Sequence, residues 1–387
     1  MTAVDQSESS PILETLTRVR VRDVDTHITE PGDVWTSRMS SKWGDAVPHT
    51  RPNPTTGKQQ WYINGEPGPS FGEGDLTVYD EQTAAGATDA CARLAWMDLH
   101  GVFTQVLYPN ILGFFPRAFV RADRAFGVDC VRAYNDFQTD FASADPERLI
   151  PTTYLPWWDI DAAVAELERC HDRGHRSINL AWEYEKAGLP PLRDEHWTPL
   201  LKTAEERTMT VNFHVGFNTE DLDYQAVLAR SRLDQVATSA KFFMGNVECI
   251  VELIMGRICH RFPTLKFVSV ESGIGFVPYL LEALQWQFLN SNMNREYPDM
   301  LLPSDYFRRQ IYGTFWFERD IADLAHLYPD NFMFETDYPH ASSLTPAESL
   351  PYVAGPHETI ATNLGALPED LVIKLVEKNA CGVYQLA

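Results

Sequence analysis

The sequence predicts an α/β protein folded as a (β/α)8 barrel of the TIM type, with a long cap insertion after the first strand. Two features of the 387-residue chain carry that reading. Short β-rich runs alternate with helical stretches through the whole chain, which implies parallel strands. Eight such runs are present, enough to close a barrel. No GxGxxG or GxxxxGKS/T follows any of them, which removes the nucleotide-binding form of the rival, an open doubly wound sheet.

In chain order, the expected strands are VRVRDVDTH (19–27), TQVLYPN (104–110), LIPTTYLP (149–156), SINLAW (177–182), TMTVNFHVG (208–216), LKFVSVES (265–272), QIYGTFW (310–316) and NFMFETDYPH (331–340). Helical patterns lie between them at 117–143, 160–174, 196–208, 247–263, 275–288 and 321–328, with a last helix at 368–386. The 160–174 stretch has an acidic first turn and ends on glycine, as helices tend to. One segment breaks the alternation. Residues 31–90 are rich in Pro, Gly and Thr and carry KQQWYINGEPGP, which reads as a hairpin turning at Asn64-Gly65. The insertion, set at about 31–95, leaves the C-terminal end of the first strand, where a barrel's site sits, and so reads as a cap over that site. Residues 1–17 read as a polar lead-in, and 18–387 as one barrel domain.

Hydrophobic residues make up 44% of the chain, enough for a large core. The 32 basic against 54 acidic residues give a net charge of −22. Such a surface argues against nucleic acid and anionic lipid as partners. No apolar run approaches the ~18–20 residues of a membrane helix. The N-terminus lacks the basic start and apolar stretch of a secretory signal. The six cysteines are scattered with no CxxC, so buried free thiols in a reducing cytoplasm are expected. A homodimer is the default association for a soluble enzyme.

The polar residues at the strand ends converge on one face of a barrel. They are Asp25, His27 and Glu30 from the first, Tyr108 and Asn110 from the second, and His214 from the fifth. Glu271 ends the sixth, and Glu335, Asp337 and His340 end the eighth. Asp25 and His27 are two apart, so both side chains enter the mouth from one side of the strand. Imidazoles and carboxylates gathered in one place need a compensating cation, and nitrogen and oxygen donors without thiolate suit Zn, Fe or Mn.

The segments DVDTHITEP (23–31), VNFHVG (211–216), RFPTLKFVSVESGIGFVPYLLE (261–282), FMFETDYPH (332–340) and EKNACGVY (377–384) together resemble the amidohydrolase-2 family. The likeness is to its aminocarboxymuconate-semialdehyde-decarboxylase-like branch and runs from about residue 18 to the end. It implies a metal-bearing (β/α)8 barrel with ligands at Asp25, His27, His214 and Asp337. The chain departs from the decarboxylase members at the sixth strand, which ends in Glu271 where they typically carry a histidine. The combination is also similar to the non-haem di-iron acyl-CoA thioesterases of diterpenoid antibiotic biosynthesis.

With Glu30 and Glu271 added, six ligands (Asp25, His27, Glu30, His214, Glu271, Asp337) suffice for two divalent ions. The expected reaction is hydrolysis: a metal-activated water cleaves an ester, thioester or amide of a hydrophobic acid. Asp337 moves the proton, and His340 orients substrate or stabilises an oxyanion. Tyr108 and Asn110 are candidate substrate contacts. Aromatic residues such as Trp35, Trp61, Trp157, Trp286 and Trp316, in or near loops that reach the mouth, suit a hydrophobic acyl or aromatic substrate. No basic cluster marks a coenzyme A phosphate site. The alternative is a metal-dependent decarboxylase or hydratase of an aromatic or unsaturated carboxylic acid.

Overall fold

Eight parallel strands, each hydrogen-bonded to the next in chain order, form the barrel wall. They are β1 (Val21–Ile28), β5 (Val102–Pro109), β6 (Leu149–Tyr154), β7 (Ser177–Asn179), β8 (Thr210–His214), β9 (Phe267–Val270), β10 (Ile311–Phe315) and β11 (Phe332–Phe334). The structure, a computed structural model, describes residues 11–55, 57, 59–69, 79–220 and 230–387. The barrel closes where the chain beyond β11 returns to β1. Asp337 N–H donates to Asp25 O at 3.0 Å, and His27 N–H to Tyr338 O. The two strand ends that carry Asp25, His27 and Asp337 are thereby stitched to each other. Every residue of β1 is buried, as expected for a strand covered on both faces.

The helical stretches form where expected but break at identifiable points. The 117–143 pattern divides into Arg117–Val120 and Arg124–Ala142, because Asp123 caps the second helix by accepting from Ala125 N and Phe126 N. The 247–263 pattern ends at Met255 and restarts at Ile258, across Gly256 and a left-handed Arg257 (φ 60°). Helix Ala90–His100, which straddles the boundary set for the cap, leads directly into β5. It carries Arg93, whose fully buried guanidinium donates to His27 O and Gly86 O, both at 2.6 Å, and to Gln105 Oε1 at 3.1 Å. Arg93 thus fixes the backbone of the strand end that bears His27.

The insertion contains a three-stranded antiparallel sheet of β2 (His49–Pro52), β3 (Gln59–Ile63) and β4 (Glu66–Pro67). Asn64 and Gly65 make its tight turn, both at positive φ, the conformation that favours Asn-Gly there. Trp61 packs edge-on to Trp35 at 5.2 Å, and Trp35 Nε1–H donates to Cys130 O on the Arg124–Ala142 helix. Tyr79, at the far end of the insertion, donates its hydroxyl to His340 O at 2.6 Å. The insertion touches the site loop through this phenol and through Thr83 O, which accepts the Tyr338 hydroxyl.

Of the lead-in, residues 1–10 lie outside the described residues. Pro11–Leu16 is a short helix whose Ile12 and Leu16 join the core, so this part is not a polar tail. Cys130, Cys170, Cys249 and Cys259 are buried, Cys381 is half-buried, Cys91 is exposed, and all six are free thiols. No helix among the described residues is long and apolar enough to cross a membrane.

Candidate metal centre

The centre is built from the ends of four strands. Asp25 and His27 come from β1, and His214 ends β8. Glu271 follows β9, and Asp337 follows β11. All five are less than 5% exposed. Glu271 (φ 53°) and Asp337 (φ 59°) both sit in the left-handed region, which costs a non-glycine residue roughly 1–2 kcal/mol. Strain of this kind at two buried carboxylates marks positions held for what the side chain does.

The two histidines define the chemistry. His27 Nδ1 lies 3.2 Å from Pro109 O, and His214 Nδ1 lies 2.7 Å from Val215 O. A carbonyl only accepts, so each Nδ1 carries the hydrogen and each Nε2 presents a lone pair. Those two Nε2 atoms face each other at 2.9 Å. Two lone pairs at that distance repel unless a cation lies between them. The fit to a metal ion is good. Nitrogen ligands about 2.0–2.1 Å from one ion and at a right angle to each other are about 2.9 Å apart.

The carboxylates complete the set. Asp25 Oδ1 is 3.3 Å from His214 Nε2 and 3.6 Å from His27 Nε2. Glu271 Oε2 is 3.7 Å from His214 Nε2, and Asp337 Oδ1 is 3.8 Å from His27 Nε2. Both oxygens of Asp25 and Oε2 of Glu271 are buried and meet no hydrogen-bond partner among the described residues. Buried carboxylate oxygens are left in that state only where something else takes their lone pairs. Burial raises the pKa of Asp25, and it raises that of Glu271 well above the ordinary carboxylate range, reinforced by Asp337, Asp25 and Glu335. Burial pushes His27 the other way, well below the usual imidazole value, with His340 and His214 adding to the effect. The raised carboxyls mark negative charge that a cation would relieve, and the lowered imidazole stays neutral, with its Nε2 lone pair available. The ligand atoms fall into two overlapping groups, each within 4.8 Å: Asp25, His27, His214 and Glu271, and His27, Glu271, Asp337 and His340.

Three residues expected at the site have other tasks. Glu30 is not a ligand in this geometry. Its Oε1 accepts Asn110 N–H and Ile111 N–H, both at 2.9 Å, so it caps the short helix Ile111–Phe114. Burial raises its pKa to about 7. Asn110 is buried with its amide turned to the protein: Nδ2 donates to Ile28 O at 3.1 Å and Oδ1 lies 3.0 Å from His340 Nε2. Tyr108 is fully buried with its hydroxyl 3.4 Å from that of Tyr384 and its ring 5.1 Å from His214, so it packs beneath the imidazoles. His340 does stand at the site. Its Nδ1 is 2.6 Å from Asp337 Oδ1, and its ring lies 3.9 Å from that of His27.

Several site residues are not picked out by the sequence reading. Phe217 stacks on His214 at 4.3 Å, and Phe114 lies 5.8 Å from His27. They meet edge to face because Gly113 has no side chain: a Cβ there would come within 2.3 Å of the Phe217 ring. Phe217 also borders a small cavity shared with Tyr154, Trp157, Asn179 and Leu180. Of the expected wall tryptophans, Trp157 is thus near the site, Trp35 and Trp61 pack the insertion, and Trp286 is 68% exposed. Ser342 donates its hydroxyl to Asp337 Oδ2. Glu335, a strand-end candidate left out of the ligand set, is fully buried with Oε1 unpartnered among the described residues.

Comparison with known proteins places this geometry among relatives. A family model described as amidohydrolase matches residues 126–386. The chain is 23% identical over 271 residues to gamma-resorcylate decarboxylase of Rhizobium sp. strain MTP-10005, covering 67% of this chain and 80% of that protein. It is 27% identical over 176 residues to 2-keto-4-carboxy-3-hexenedioate hydratase of Sphingobium sp., covering 43% and 48%. Among solved structures, an amidohydrolase from Mycobacterium avium subsp. paratuberculosis K-10 aligns with a TM-score of 0.72 at 21% identity, over 95% of this chain and 99% of that one. A 5-carboxyvanillate decarboxylase from Novosphingobium aromaticivorans, solved with bound manganese, aligns with a TM-score of 0.65 at 15% identity, over 99% and 100%. These relatives overturn the expectation of a hydrolase of esters, thioesters or amides and fit the alternative, a decarboxylase or hydratase. The physical reason is that the ligand set does not choose between the two. A centre able to activate water is equally able to bind a substrate carboxylate, so Glu271 in place of histidine does not select hydrolysis.

Proposed function

The chain belongs to the amidohydrolase family, and from that premise we propose that it is a metal-dependent decarboxylase of a small aromatic carboxylic acid. The observation that carries this reading is the alignment with gamma-resorcylate decarboxylase across most of that enzyme's length. Hydration of an unsaturated carboxylic acid is the second reading, favoured by the shorter match to the hexenedioate hydratase.

The ligands are Asp25, His27, His214, Glu271 and Asp337. The proposed ion count is two: Glu271 belongs to both groups of donors that could hold an ion, and a carboxylate can bridge two. The buried carboxylates Asp25, Glu271, Glu335 and Asp337 also carry more negative charge than one dication balances. Iron, zinc or manganese suits this donor set. A divalent cation held here supplies Lewis-acid binding of the substrate carboxylate and a neighbouring oxygen.

The chain's own residues do the rest. Phe114 and Phe217 exclude water and offer apolar ring faces to an aromatic substrate. Asp337 Oδ1 and His340 Nδ1, 2.6 Å apart, hold a proton between them. That proton passes to the carbon bearing the carboxylate. The carbon–carboxylate bond then breaks, its electron pair stays with the ring, and carbon dioxide leaves. After carbon dioxide leaves, the pair takes up a proton from solvent, which reaches it past the partly exposed His340 side chain (16%).

The test is product identity. Protein purified without chelator is incubated with hydroxybenzoic acids and with unsaturated oxo-dicarboxylic acids in deuterated water. Carbon dioxide plus one deuterium on the carbon that lost the carboxylate supports the proposal. A hydrated acid without carbon dioxide supports the second reading. Turnover of esters or thioesters alone defeats both.

A further inference from the structure

Asn110 stands where the sequence suggests a substrate contact, yet both ends of its amide point into the protein. Its Nδ2 donates to Ile28 O at 3.1 Å. That bond fixes the rotation of the amide, because a carbonyl cannot donate in return. Oδ1 is then the atom that faces His340 Nε2 at 3.0 Å. An amide oxygen only accepts, so the imidazole must carry its hydrogen on Nε2. The other ring nitrogen, Nδ1, is thereby aimed at Asp337 Oδ1, 2.6 Å away.

The support extends one residue further back. Glu30 holds the backbone of Asn110 in place by accepting its N–H and that of Ile111. Ile28, whose carbonyl orients the amide, ends β1, the strand that carries Asp25 and His27. One continuous set of hydrogen bonds therefore ties the β1 end, the start of the Ile111–Phe114 helix and the loop after β11 to a single imidazole orientation.

We propose that Asn110 is a positioning residue: it fixes the Nε2–H form and ring orientation of His340, so that Nδ1 always faces Asp337. The inference rests on the proton-transfer role given to Asp337 and His340 above. Asn110 touches neither metal nor substrate in this account; it acts through His340. Outer partners that orient a site imidazole have effects of ~10–100-fold on activity.

The experiment uses zinc-loaded full-length protein with 15N-labelled histidine, the His340 signals being identified by their loss in His340→Gln. In the unsubstituted protein His340 shows a hydrogen on Nε2 that is protected from exchange. Asn110→Leu, close in shape but without the amide, loses that protection and lowers kcat by ~10–100-fold, with KM within about 3-fold and metal content unchanged. Asn110→Asp, which keeps an acceptor opposite Nε2, restores the protected hydrogen. A His340 without hydrogen on Nε2 in the unsubstituted protein overturns the proposal even if Asn110→Leu fails to fold. So does an Asn110→Leu protein with unchanged His340 signals. The spectra do not depend on turnover, so failure of the decarboxylase reading, seen as no carbon dioxide from any acid, is distinguishable from failure of this one.

Discussion

His175 gives a stability prediction whose size follows from its surroundings. The residue is fully buried just ahead of β7. Its Nδ1 lies 2.9 Å from Thr153 Oγ1 and its Nε2 lies 2.9 Å from Thr139 Oγ1. Burial, reinforced by Arg173, lowers its pKa to about 3. In the unfolded chain the imidazole titrates near ~6.5. Between those values the unfolded state binds more protons than the folded one, so this contribution is complete above ~6.5 and is lost as the pH falls towards 3. Between pH 7.5 and 5.0 the unfolded imidazole takes up nearly one proton and the folded one takes up almost none, which amounts to ~2 kcal/mol of lost stability. His175→Gln leaves each threonine hydroxyl an amide partner and removes the titration. Urea unfolding of both proteins at the two pH values isolates the residue, because the pH dependence of the metal centre is common to both. The expected result is that His175→Gln loses ~2 kcal/mol less than the unsubstituted chain across this interval. Equal losses would show that His175 does not titrate between its folded and unfolded values in this interval.

Three further outcomes follow from the site. Removing metal with a chelator lowers Tm by about 10 °C in a thermal scan, as expected for two ions each held at ~1,000 times its Kd in a chain of this length; an unchanged Tm counts against a metal bound to the folded state. His340→Gln lowers kcat for carbon dioxide release by ~10²–10⁴-fold while elemental analysis finds its metal unchanged; retained kcat removes His340 from proton transfer. Arg93→Met leaves the buried carbonyls of His27 and Gly86 without their donor and costs roughly 3 kcal/mol or more in urea unfolding; a loss below ~1 kcal/mol shows that Arg93 does not hold the β1 end.

The strands were legible in the sequence because each is a short apolar or β-branched run, and the parallel order follows from the helices between them. The cluster proposed to hold metal was legible for a related reason: a charged or imidazole side chain at the end of an apolar strand has few satisfactory environments, so Asp25, His27, His214, Glu271 and Asp337 stand out. Glu30 has the same signature but serves a four-residue helix too short to leave a periodic pattern. Asn110 beside a proline reads as a turn or a contact, and only the position of Ile28 O reveals that its amide is locked. Phe114 and Phe217 reach the imidazoles through space left by Gly113, a close approach between two loops far apart in sequence. The reaction was the least legible feature, since one set of nitrogen and oxygen donors serves hydrolysis and decarboxylation alike.

Paired imidazole lone pairs and unpartnered carboxylates at the barrel mouth call for metal. Metal content per chain, measured by elemental analysis on protein purified without added metal or chelator, tests this most directly, with Glu271→Ala alongside. Two equivalents are expected, falling to one or fewer in the variant. A chain that carries no metal, or one equivalent untouched by the loss of Glu271, contradicts this.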